Sequence, residues 1–142
     1  MRQGQMKRAL ELANRSLETD QNNAVAWRLR GEINRLRANY DQAIIDLKRS
    51  KFLSDEPVTR MALAKACLRA GRGEDAITEL EITIDNPQAP IEARTLLEQT
   101  YLRLGRKEAL KRFYEQTLEK FPDNVLWYNR AARFAITQGE FD

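Results

Sequence analysis

The stretch Gly71-Arg72-Gly73-Glu74-Asp75-Ala76 decides how this chain folds, because versions of it return along the sequence. GQMKRA stands at 4–9 and ANYDQA at 38–43, followed by GRKEAL at 105–110 and GEFD at 139–142. The small residues that open these stretches are Gly4, Ala38, Gly71, Gly105 and Gly139, spaced 34, 33, 34 and 34 residues apart. Glycine tolerates the left-handed backbone that closes a helix, and acidic or polar residues behind it suit the first turn of another. A fixed period in this range marks a supersecondary unit that stacks on copies of itself.

Other ladders keep the same register. Ala9, Ala43 and Ala76 recur at 34 and 33 residues early in the second helix of each unit, with Ala109 and Leu110 competing for the next rung. Gly31, Ala64, Glu98 and Ala132 take the matching slot of the first helix. Small side chains there let paired helices approach, so Glu98 predicts a looser contact or a shifted turn. Polar turn text separates the units: DQNN at 20–23, SDEP at 54–57, DNPQAP at 85–90 and FPDN at 121–124. Apolar periodicity between these breaks predicts an all-α chain of eight helices, over 3–19, 24–37, 40–52, 57–70, 73–85, 90–104, 107–120 and 124–138. The aromatic residues are expected in the core.

These residues resemble the tetratricopeptide repeat, a helix-turn-helix unit of 34 residues. Trp27 and Gly31 sit at its Trp and Gly positions, with Tyr40, Asp41 and Ala43 heading the next helix. Leu63, Ala64, Gly71, Ala76 and Leu80 match in the second unit, then Leu97, Tyr101, Gly105 and Pro122, then Tyr128, Gly139 and Phe141. Arg30 departs from the usual Leu, Arg60 and Arg94 from an aromatic, and Asn34 from a Tyr. The resemblance implies a right-handed α-α superhelix, a solenoid of about eight antiparallel helices filling 1–142 as one segment. Its parts would be the second helix of a partial repeat (1–23), full repeats at 24–56, 57–90 and 91–124, and the first helix of a partial repeat (125–142). Stacked repeats need polar caps, so Met6, Leu10, Ala13 and Leu17 are expected to be under-covered at one end. Trp127, Tyr128, Ala131, Phe134 and Ala135 are expected to be so at the other. An excerpt of a longer array and self-association through these end helices both follow as expectations.

Catalysis finds little material. Histidine is absent, which removes the commonest general base. Cys67 is the only cysteine and reads as a small core hydrophobe. No phosphate-loop pattern occurs. The chain is therefore expected to be no enzyme, with no cofactor, no metal site and no small-molecule substrate. A net charge of +3 over 142 residues argues against nucleic acid as the main partner. No apolar run approaches the roughly 20 residues of a membrane helix, so the segment is expected to be soluble and not inserted in a membrane, with cytoplasm and periplasm equally open.

In the resembled family, first helices of successive repeats line a ligand groove. Carried over, that face holds Val25, Arg28, Glu32 and Arg35, then Val58, Met61, Lys65 and Arg69. It continues with Glu92, Thr95, Gln99 and Arg103, then Leu126, Asn129 and Arg133. Its excess of basic residues predicts an acidic protein or peptide segment as ligand; read blandly, the same charges only keep the helices soluble. The function implied is a protein-interaction scaffold within a larger multi-protein assembly. Two alternatives are an accessory arm of a larger enzyme or of a bacterial envelope polysaccharide or secretion protein, and an RNA-binding helical repeat. The family's carboxylate clamp for chaperone tails finds Arg28, Glu32, Ala62, Glu92 and Leu96 at its positions, a set that opposes such a tail.

Overall fold

The computed structural model describes residues 2–139; Phe141 of the family match lies outside the described residues. Among them the chain is helical and holds no strand. The helices are α1 (Gln3–Thr19), α2 (Ala24–Leu36), α3 (Tyr40–Leu53), α4 (Pro57–Arg69), α5 (Gly73–Ile84), α6 (Glu92–Arg103), α7 (Lys107–Lys120) and α8 (Val125–Gln138). Each lies within two residues of its expected span, because the breaks are chemical. Pro57 opens α4 at its first turn, where its missing N–H costs nothing. The Asn23 and Asn124 side chains accept hydrogen bonds from the backbone N–H groups of Ala26 and Leu126, capping α2 and α8.

Four of the five turn positions are left-handed: Ala38 (φ 60°), Gly71 (75°), Gly105 (66°) and Gly139 (71°). The closing bond repeats as well. The N–H groups of Asn39, Arg72 and Arg106 reach back to the carbonyls of Asn34, Cys67 and Tyr101 at 2.8, 2.8 and 2.9 Å, the wide bond of a left-handed helix stop. Gly4 departs from the pattern and lies inside the first turn of α1.

The chain forms two compact units that divide between Leu97 and Glu98, within α6. In the first, α2 lies so close to α3 that a Cβ on Gly31 would stand 2.6 Å from Leu47 Cγ and 3.2 Å from the Ala43 carbonyl oxygen. Ala43, Leu47, Ala64, Ala76 and Leu80 are each 0% exposed. Two carboxylates share this interior. Asp46 accepts two hydrogen bonds from the Arg30 guanidinium (2.9 and 2.8 Å), whose third goes to Asn14 Oδ1 at 3.2 Å, plus one each from Asn34 and Gln42. Glu79, one period on, accepts from Lys51 at 2.5 Å and Arg60 at 2.6 Å. Arg30, Asn34 and Arg60, all departures from the family pattern, thus serve as partners of buried acids. Arg94, the fourth, donates to the Ile84 carbonyl at 3.2 Å.

The second unit packs aromatics. Phe113 meets Tyr101, Tyr114 and Trp127 edge-on at centroid distances of 6.1, 5.6 and 5.7 Å. Glu98 is 4% exposed and accepts hydrogen bonds from the Tyr114 hydroxyl at 2.5 Å and from Arg130. The looser contact expected at Glu98 is replaced by this buried polar bond. Leu110 is 1% exposed and Ala109 half-buried, so Leu110 takes the contested rung and the spacing stays regular.

Ala38 bears a Cβ in a left-handed backbone, which costs about 1 kcal/mol. Ala38→Gly is therefore expected to raise the urea midpoint, and Gly71→Ala, whose Cβ would meet nothing within 4 Å, to lower it by a similar energy. Restoring the family residue with Arg30→Leu should cost about 3 kcal/mol, because it strands the Asp46 carboxylate. Adding Asp46→Leu should recover most of that loss, which a double-mutant cycle of urea unfolding measures.

Candidate functional site

Within the first unit, the first helices of two hairpins and the loop before α6 enclose a recess of about 250 Å³. Glu32 and Arg35 of α2 face Val58, Met61, Ala62 and Lys65 of α4, with Pro90 and Glu92 closing it. Six residues that the sequence assigns to the groove, Glu32, Arg35, Val58, Met61, Lys65 and Glu92, thus come together here. Met61 is only 5% exposed and serves as apolar floor. Pro90 had read only as turn text; its place in the wall follows from the tertiary course of the DNPQAP loop.

The charges differ in availability. Arg28 is held by Glu32 at 3.0 Å. Arg69 lies against Tyr40, its Nε 3.4 Å from the hydroxyl and its guanidinium 5.9 Å from the ring centroid. Neither lines the recess. Arg35 presents a buried Nε with no hydrogen-bond partner among the described residues, and the Lys65 side chain is exposed. Thr95 is half-buried in the first unit. Gln99, Arg103, Asn129 and Arg133 belong to the second unit, where all four are exposed.

A larger and more apolar slot of about 560 Å³ lies between α1 and α2. Ala9, Leu12, Ala13 and Ser16 line it from one side, Val25, Leu29, Ile33 and Leu36 from the other. Leu12, Val25, Leu29 and Leu36 are 45–51% exposed. The residues expected to be bare here were different ones. Ala13 and Leu17 are each 6% exposed, Met6 and Leu10 half-buried, because α2 covers that face of α1. Of the residues expected to be bare at the other end, Trp127 is 6% and Tyr128 47% exposed; the edge of Phe113 covers Trp127.

Two side chains with reactive potential are tuned away from reactivity. Cys67 is 1% exposed, and burial pushes its thiol pKa up, leaving little thiolate at neutral pH. Burial, reinforced by the hydrogen bond to Glu98, pushes the Tyr114 hydroxyl well above the usual phenol range. Among the described residues no three His, Cys, Asp or Glu side chains group as metal ligands. No described helix is long and apolar enough to cross a membrane.

No family model matches this chain, and no curated protein matches it by sequence. Solved structures do resemble it. YrrB, a TPR protein with an unusual peptide-binding site, superposes with a TM-score of 0.73 at 16% identity, over 96% of this chain and 71% of that one. MamA superposes at 0.77 with 20% identity, over 96% and 80%. The first TPR of Spaghetti (RPAP3), bound to the HSP90 peptide SRMEEVD, superposes at 0.64 with 20% identity, over 84% and 96%. The likeness establishes the fold: this chain is built as tetratricopeptide repeats are.

The Tyr114 shift has a signed consequence. The folded phenol ionises at higher pH than the unfolded one, so the unfolded state releases its proton first and stability falls as pH climbs past about 10. The loss should be steeper in the wild type than in Tyr114→Phe when urea unfolding is followed from neutral to alkaline pH.

Proposed function

We propose that the chain is a protein-interaction module, one component of a larger assembly, and that its recess takes an extended protein segment carrying an acidic side chain. The two cations that line one recess from facing helices, Arg35 on α2 and Lys65 on α4, carry the reading. A carboxylate of a ligand placed between them would meet both charges. Lys65, exposed and without an ion-pair partner among the described residues, stands on the opposite wall, while Val58 and Met61 offer apolar contact beside it. Glu92, on the same rim, sets the register: it repels a second acidic group placed toward Pro90. Two available cations and one available anion thus favour a segment with its acid between α2 and α4 and an apolar residue on Met61. The peptide-bound RPAP3 repeat and the YrrB peptide site support this use of the fold. The arrangement here, with Ala62 and Glu92 in the recess, is unsuited to a tail rich in carboxylates.

A random peptide library displayed against the purified chain should enrich sequences with an acidic residue beside an apolar one. Lys65→Glu combined with Arg35→Gln should weaken the selected peptides by about tenfold or more, whereas Glu92→Gln should leave or improve their binding. Selected peptides that bind the double variant as well as the wild type would sink the proposal.

A further inference from the structure

We propose that the slot between α1 and α2 receives α8 of a second copy of this chain, so that copies associate head to tail. The chain itself shows what fills such a slot. α2 lies on α3 through a set of rungs: Arg30 bonds Asp46, Gly31 sits against Leu47 and Ala43, and the Ser50 hydroxyl donates to the Ala24 carbonyl at 2.8 Å. One period earlier, Ala43, Asp46, Leu47 and Ser50 become Ala9, Leu12, Ala13 and Ser16 of α1, the α1 wall of the slot. Beneath α2 the four α3 residues are at most 1% exposed, whereas Leu12 is 50% exposed. The slot is a binding face for a first helix of the repeat, and among the described residues it is open.

α8 is such a helix. Three repeats on from Trp27, Arg30, Gly31 and Asn34 stand Tyr128, Ala131, Ala132 and Ala135. Tyr128 is 47% exposed, Ala132 is exposed, and Ala131 and Ala135 are half-buried. Laid on α1 in the rung order of α2 on α3, the side chains match. Ala131 falls on Leu12 where Arg30 falls on Asp46, so an apolar pair replaces an ion pair and no charge is stranded. Ala132 falls on Ala13, small against small, which permits the close approach that Gly31 and Leu47 achieve in the first unit. The Ser16 hydroxyl takes the place of Ser50 and points its proton at the Val125 carbonyl, the counterpart of Ala24. Leu29 and Leu36 supply the other wall. Slot and helix are different surfaces, so the contact is heterologous and propagates from copy to copy.

Sedimentation velocity across micromolar concentrations tests this. The wild type should grow in mean mass as concentration rises, without stopping at a dimer. Leu12→Asp with Leu29→Asp blocks the slot, and Tyr128→Asp with Ala132→Arg blocks the helix. All four positions are exposed, and circular dichroism melting checks that each variant folds. Each should weaken association about tenfold or more and remain monomeric. An equimolar mixture keeps one good slot and one good helix, and should form a dimer and go no further. A wild type that stays monomeric, a variant that associates like the wild type, or a mixture that stays monomeric would each overturn the proposal. Lys65→Glu with Arg35→Gln should associate like the wild type, which separates this contact from the recess.

Discussion

The approach of α2 to α3 at Gly31 constrains the rest of the first unit. With a Cβ at that position facing Leu47 Cγ at 2.6 Å, only glycine lets Leu47 and Ala43 close the interface completely. Once the backbones are that near, every neighbouring rung must be filled without spare volume or unpaired charge. The next hairpin meets the same demand with Ala64 and Leu80, both 0% exposed. In the second unit the rung holds Glu98 and Tyr114, and here the interface is polar: the phenol donates to the carboxylate and Arg130 completes it. One geometric slot thus accepts glycine or alanine opposite a leucine, and a glutamate where the facing residue is a tyrosine that hydrogen-bonds it.

The same reasoning explains the residues that looked out of place. An arginine where the family carries leucine or an aromatic would be expensive in a buried slot if left alone. Arg30 is not alone, since Asp46 faces it with both oxygens, and Asn34 bonds the same carboxylate. Arg60 reaches Glu79 and also Asp55. Asp46 and Glu79 occupy one rung of successive second helices, so acid and base sit in the interior as matched sets. Such sets add little net stability over an apolar core, but a slipped helix would strand several charges together, so they penalise any other register.

How much of this was legible in the sequence follows from what each signal encodes. Turn positions and helix limits were readable because they are local: a left-handed glycine, a proline in the first turn and an asparagine cap act on their own neighbours. The rung at Leu110 was ambiguous for the opposite reason, since only tertiary burial separates it from Ala109. A ladder that closes the question was present unread. Ser16, Ser50, Thr83 and Thr117 recur at 34, 33 and 34 residues, the last three at most 1% exposed, and they fix the register of α7. Glu98 misled because a single sequence names the intruding acid but not the hydroxyl that faces it sixteen residues later.

The charged face shows the same division between what a sequence lists and what a fold makes available. Read along the first helices, the basic residues form one broad excess. In three dimensions Arg28 is neutralised by Glu32 and Arg69 rests on Tyr40, so both already have partners. Arg35 and Lys65 are the cations that open onto the recess, and among the described residues Arg35 Nε is the buried side-chain donor without a hydrogen-bond partner. A count of basic residues therefore overstates the positive charge that this face leaves without a partner among the described residues. Long-range attraction depends on the sum of the charges, most of them mutually screened. Under the proposed reading, discrimination would rest on where Arg35, Lys65 and Glu92 stand around the recess and not on net charge.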